Sequence, residues 1–156
     1  MTQRMSLIAI NALSKEVIGA AIEVHRQLGP GLLESAYAEC LAAEIRHLGL
    51  SVRREVMLPL RYRDIFVENA YRIVLLVNDE LIIEVKAAGN LLPIHSAQRL
   101  TYLKLIQSRL GLVINFNVEV LHKGIKRIAN GLQALRNLCA FAVDAKKWLI
   151  TKKHSI

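Results

Sequence analysis

The stretch VLLVNDELIIEVKA, residues 74–87, decides the fold. Two apolar runs flank a polar turn, which predicts a β-hairpin, and the second run carries Glu84 and Lys86 among isoleucine, valine and alanine. Strand side chains alternate faces, so Glu84 and Lys86 share one face with Ile82, while Ile83, Val85 and Ala87 take the other. With the turn centred on Asp79, Glu84 falls opposite Val74 and Lys86 opposite Arg72. A carboxylate and an ammonium side by side on an apolar strand mark a candidate site. The residue facing that carboxylate is a valine.

Working outward, Ser14 is the expected N-cap of a helix through Leu28, with Val17, Ala21, Val24 and Leu28 at helical spacing. Gly29-Pro30-Gly31 breaks it. A second helix is expected from Leu32 to about Leu48, burying Tyr37, Leu41, Ile45 and Leu48 and stopping at Gly49. Three strands then form a meander over Val52 to Tyr62, Ile65 to Val77 with an interruption near Asn69, and Leu81 to Ala87. A helix over Ser96 to Leu110, ended by Gly111, leads into a strand over 111–118. The right-handed crossover makes that strand parallel to a neighbour and the sheet mixed. The order αα, βββ, α, β places the chain among α/β folds.

The chain has 156 residues, enough for one domain with a sizeable core. Its hydrophobic fraction of 53% and mean hydropathy of +0.32 fit a packed globule, yet no uncharged apolar run is long enough to span a bilayer. The apolar part of MTQRMSLIAINALSK is too short for a signal peptide, so a cytoplasmic location is expected. Cys40 and Cys139 lack metal-ligand spacing and are expected as reduced core thiols. A net charge of +8 and pI near 9.8 favour a polyanionic partner, of which nucleic acid is the commonest.

Several side chains are candidates for chemistry. Glu34 precedes Tyr37 by three residues and Leu41 by seven, on the stripe that the second helix buries. An inward carboxylate needs a partner; in the first turn it could equally favour the helix dipole and cap free N–H groups. Gln98 and Tyr102 share a helix face with His95 one turn earlier, as a phosphate or base contact or as ordinary surface and interface residues. His25 and His95 lack metal-ligand partners and are expected to make polar contacts. Arg53, Arg54, Arg61 and Arg63 on the meander, with Lys123, Lys126 and Arg127, either flank a nucleic-acid groove or protect a strand edge. The sequence holds no phosphate-cradling glycine loop and no serine nucleophile motif.

Together GPGLLESAY, YRIVLLVNDELIIEVKA, AQRLTYLKL and GLVINFN resemble the GxxExxY proteins of the PD-(D/E)XK nuclease superfamily, with Gly31, Glu34 and Tyr37 spelling the motif. The resemblance covers about residues 14 to 131. It implies a restriction-endonuclease-like core, a mixed β-sheet flanked by α-helices, with Mg²⁺ or Mn²⁺ held by a helix glutamate, a strand aspartate and the glutamate of E-x-K. Carried over, Glu34 and Glu84 are metal ligands, with the backbone carbonyl of Val85 as a further one. Lys86 is then the residue that orients and helps deprotonate the attacking water or stabilises charge on the phosphate. Gln98 and Tyr102 match the Q-x-x-x-Y block of the RecB-like branch, whose residues contact the nucleic acid.

The family pattern at the second strand of the meander is Y-R-x-D-L-L-V, and here it reads Tyr71-Arg72-Ile73-Val74-Leu75-Leu76-Val77. Val74 stands where the aspartate belongs. Asp79 and Glu80 lie about five residues away, at about 3.3 Å per residue too far to replace it. The chain is therefore expected to bind nucleic acid, DNA ahead of RNA, and to hydrolyse phosphodiesters weakly or not at all, because the metal site lacks a ligand. The competing expectation is a non-catalytic binding or assembly module that keeps the fold. The nuclease-like domain is expected over 1–131, with an apolar and basic extension over 132–156 packed on it. That extension could instead serve a homodimer.

Overall fold

The computed structural model describes residues 5–90, 93–94 and 108–129. Helices α1, Leu7–Leu28, and α2, Glu34–His47, precede strands β1, Val52–Tyr62, β2, Ile65–Val77, and β3, Leu81–Lys86. Strands β4, Leu110–Asn115, and β5, Ile125–Ala129, follow, joined by a 3-10 turn at Leu121–Gly124. The five strands form one sheet in sequence order, antiparallel except for the parallel β3–β4 pair. This is the mixed sheet of an α/β, restriction-endonuclease-like fold. No helix among the described residues is long and apolar enough to cross a membrane.

Helix α1 starts a full two turns before Ser14. Ser6 is its N-cap and accepts from the Ala9 N–H at 3.1 Å. Ser14 is instead buried in the helix, where its hydroxyl accepts from Arg127 Nη1 of β5 at 3.1 Å, beside a 2.6 Å bond from Arg127 Nη2 to Asn11 Oδ1. A mid-helix serine whose hydroxyl is satisfied costs the helix little. Arg127 therefore ties sheet to helix. Helix α2 buries Tyr37, Leu41 and Ile45 as its spacing requires, whereas Leu48, past its last turn, is exposed. Cys40 lies on the solvent side of α2, not in the core, because it is out of step with that stripe; Cys139 is outside the described residues.

The hairpin around Asp79 turns as its residues allow. Asn78 and Asp79 both adopt left-handed backbone angles, and the Glu80 N–H closes on Val77 O at 3.0 Å, as in a type I′ turn. Leu75, Leu76 and Val77 pair with Ile83, Ile82 and Leu81, so one further step in the same register sets Val74 opposite Glu84. The interruption near Asn69 is a register shift: between the pairs Leu58–Tyr71 and Leu60–Val67, Pro59 alone faces Glu68, Asn69 and Ala70. Pro59 has no N–H to offer the ladder there.

Strand β4 begins at Leu110, which pairs with Ala129, and Gly111 pairs with Ile82, so neither closes a helix. All of Leu110–Asn115 is buried, as befits an inner strand beside a parallel neighbour. Ser108 and Arg109, the last residues before β4, are not helical; the rest of the helix expected over 96–110 lies outside the described residues, as does the extension over 132–156. Leu75, Ile83, Val85, Leu112 and Ile114 share one core with α1 and α2. Leu76, Ile82 and Val113, on the alternate face, are buried as well.

Two glycines separate close packing from open space. A Cβ on Gly124 would stand 2.2 Å from the Asn115 carbonyl oxygen, whereas one on Gly19, in α1, would meet nothing within 4 Å. Gly124→Ala should therefore lose about 1–3 kcal/mol in urea unfolding. Gly19→Ala should gain up to about 1 kcal/mol.

Candidate functional site

Glu84 is only 6% exposed, and a buried carboxylate needs compensation. Lys86, next on the same face, brings Nζ to 3.7 Å from Glu84 Oε1 and 4.0 Å from Glu34 Oε2. The N-terminus of α2 and the C-terminal end of β3 therefore meet at one ammonium. Glu34 is neither buried nor a helix cap: its side chain is half exposed, and the N-cap of α2 is Leu33 without a side-chain bond. Its carboxylate points across to β3, where Oε1 accepts from the Ala87 N–H at 3.4 Å. It keeps the favourable place for an anion at a helix N-terminus.

The motif Gly31, Glu34, Tyr37 has a mechanical basis. Gly29 and Gly31 take φ of 67° and 105°, which a residue with a Cβ rarely adopts. The Tyr37 hydroxyl donates to Gly29 O and accepts from the Leu32 N–H at 3.2 Å, so it closes the loop that aims Glu34. Its ring stacks on Phe116, just past β4, with centroids 4.5 Å apart. His25, as expected of a polar-contact histidine, bonds Val118 O through Nε2 at 2.8 Å.

Asn115, which sequence reasoning passed over, fixes the other side. Its Oδ1 accepts from the N–H groups of Ala88 at 3.1 Å and Asn117 at 3.2 Å, and its Nδ2 donates to Ala88 O at 2.8 Å. The Phe116 N–H bonds Lys86 O at 2.9 Å. These bonds hold the chain just after Lys86. A lone amide in the apolar run GLVINFN was the available signal.

Beside this cluster is a cavity of ≈ 420 Å³, lined by Glu34, Ser35, Glu55, Arg72, Val74 and Val85 among others. Val74 thus faces the cavity together with Val85, whereas Glu84 is not part of the lining. Glu55, on β1, was not among the residues singled out from sequence. Its φ of 53° is left-handed for a residue with a Cβ, a strain of about 1–3 kcal/mol that persists where surroundings enforce it. Its carboxylate pairs with Arg72 Nη1 at 3.1 Å, and both side chains are about half exposed, so this pair adds only about 0–1 kcal/mol. Among the described residues no three His, Cys, Asp or Glu side chains are preassembled around one point. Lys86 occupies the space between Glu34 and Glu84.

Gln98, Tyr102 and His95 lie outside the described residues. Of the basic residues, Arg53 pairs with Asp79 at 2.7 Å, and Arg61 and Arg63 lie over Phe66 and Tyr62 on the β1–β2 hairpin. Lys123 and Lys126 are exposed.

The sequence profile of the PD-(D/E)XK nuclease superfamily matches residues 11–128, from within α1 to β5. The chain belongs to the PD-(D/E)XK nuclease superfamily. Comparison with curated proteins and with solved structures gave no match. In this PD-(D/E)XK chain the matched stretch includes Glu84 and Lys86, at the end of the β3 strand.

Tyr37→Phe keeps the ring on Phe116 and removes only the hydroxyl. It leaves Gly29 O and the Leu32 N–H without their partner, so unfolding free energy should drop by about 1–3 kcal/mol. Chemical denaturation of the two proteins measures the difference.

Proposed function

We propose that this chain is a nucleic-acid-binding member of the GxxExxY branch whose site around Glu34, Glu84 and Lys86 supports metal-dependent phosphodiester hydrolysis, slowed by the valine at position 74. The observation that carries the proposal is the approach of the Lys86 ammonium to both carboxylates, which joins the helix glutamate to the strand E-x-K. The donor set suits Mg²⁺ or Mn²⁺: two carboxylates and a backbone carbonyl, that of Val85, are hard oxygen ligands. Such an ion, when bound, would lower the pKa of a coordinated water and screen the phosphate.

The chain's own residues would do the rest. Glu34 and Glu84 supply the negative charge that attracts the cation and hold their places through the Tyr37 loop and the Asn115 bonds. Lys86 is anchored at the strand end, so its ammonium can orient the attacking water and stabilise charge growing on the phosphate oxygens. Arg72, at the cavity wall, is a second cation within reach of a phosphate. The net charge of +8 supplies non-specific attraction to the polymer.

Val74 in the cavity favours a second possibility, a binding module that retains the fold without cleavage. Nuclease assays with Mg²⁺ and with Mn²⁺, on DNA and RNA side by side, separate the two. The native chain should cleave slowly, and Lys86→Ala should abolish cleavage while metal affinity stays within about threefold. No cleavage by the native protein with either ion would leave the binding module as the function. Binding itself, followed by fluorescence anisotropy, should weaken steeply as salt rises, because each phosphate contact releases counterions.

A further inference from the structure

The superfamily pattern leaves the site one carboxylate short at Val74, and the cavity contains a carboxylate that the pattern does not assign. We propose that Glu55 of β1 supplies the missing ligand, so that the cation is held by Glu34, Glu84 and Glu55. This rests on the metal-dependent function proposed above.

Register is the first support. Arg54 pairs with Leu75 and Val56 with Ile73, which brackets Glu55 opposite Val74. The β2–β3 register sets Val74 opposite Glu84. Val74 is therefore the middle of a cross-strand row with a glutamate on either side. Adjacent strands lie about 4.8 Å apart, so a carboxylate moved one strand over stands one strand width from the vacant ligand position. A glutamate is one methylene longer than the aspartate it would replace. An ion with ligands at about 2.0–2.1 Å takes up much of the remaining gap.

The cavity is the second support. Glu34, Glu55, Val74 and Val85 line the same space of ≈ 420 Å³, so Glu55 and the helix glutamate open onto one cavity. Glu84 stands beside that lining, reached from Glu34 through the Lys86 ammonium. Val74, too short to fill that space, leaves it open to Glu55. Availability is the third. Glu55 is restrained by Arg72 alone among the described ion pairs, with side chains 62% and 49% exposed, so solvent screens the pair and a divalent cation can compete for the carboxylate. Moving the Glu55 carboxylate onto the ion would leave the Arg72 guanidinium at the cavity wall, where a phosphate would replace the lost carboxylate.

Isothermal titration with Mn²⁺, without nucleic acid, tests the assignment in the full chain. Glu55→Gln should weaken Mn²⁺ binding about tenfold or more, as Glu34→Gln should. Glu68→Gln makes the same charge change on the same hairpin outside the cavity lining, and should leave the affinity unchanged. Adding Val74→Asp to Glu55→Gln should restore native affinity, because the aspartate returns a carboxylate to the middle of the row. Native affinity in Glu55→Gln with loss in Glu34→Gln would overturn the role of Glu55 and leave the two-carboxylate site standing. Equal weakening by Glu68→Gln, or a loss that Val74→Asp does not repair, would overturn it as well. If the native chain takes up no Mn²⁺, the metal-dependent function itself fails and the Glu55 assignment falls with it.

Discussion

A carboxylate that is 94% buried at the end of a central strand is the constraint around which this protein is arranged. Leaving Glu84 in an apolar sheet without a positive neighbour would cost several kcal/mol, on the order of 3–5, and Lys86 is the neighbour the strand provides. The pair would be equally well replaced by two apolar residues if stability were all that mattered, since buried ion pairs rarely outperform good packing. Its presence among Ile82, Ile83 and Val85 therefore points to chemistry. Lys86 is also drawn to Glu34, so the charge that neutralises the strand reaches the helix.

The surrounding structure makes that meeting reproducible. Gly29 and Gly31 turn the chain sharply between the two helices, and the Tyr37 hydroxyl locks the turn. The Tyr37 ring rests on Phe116, and the Phe116 N–H bonds Lys86 O, so a short path of contacts runs from the loop before Glu34 to the strand carrying Lys86. Asn115 closes the path with its bonds to Ala88. The apolar middle of the sheet supplies rigidity, and the charged pair sits at the end of its central strand. A site held on strand ends and a helix terminus is more precise than one held on loops.

Much of this was legible in the chain. The β2–β3 register followed from the turn residues and the alternation of VLLVNDELIIEVKA, because a three-residue connection with Asn and Asp in left-handed conformations admits little slippage. Glu55 was not legible. Counting back from the pair Tyr62–Ile65 at the other hairpin tip sets Arg53 against Val74, and only the shift at Pro59, where three β2 residues face one β1 residue, brings Glu55 there. Sequence marked an irregularity near Asn69 but not its size, and every residue beyond a bulge depends on that size. Ser14 misled in a different way: its helix-capping preference was real, but a distant arginine, Arg127, satisfied its hydroxyl inside the helix. Such long-range partners are invisible to local spacing.

In the proposed function Glu34 and Glu84 are two walls of one cation site, and the Lys86 ammonium stands between them. Crystals grown with Mn²⁺, with diffraction collected at an energy where manganese scatters anomalously, test it most directly. An anomalous peak within about 2.0–2.5 Å of oxygens of both Glu34 and Glu84, with the Lys86 ammonium displaced from its place between them, is the predicted result. No peak at that position in crystals saturated with Mn²⁺, or a peak elsewhere on the surface, would contradict the account.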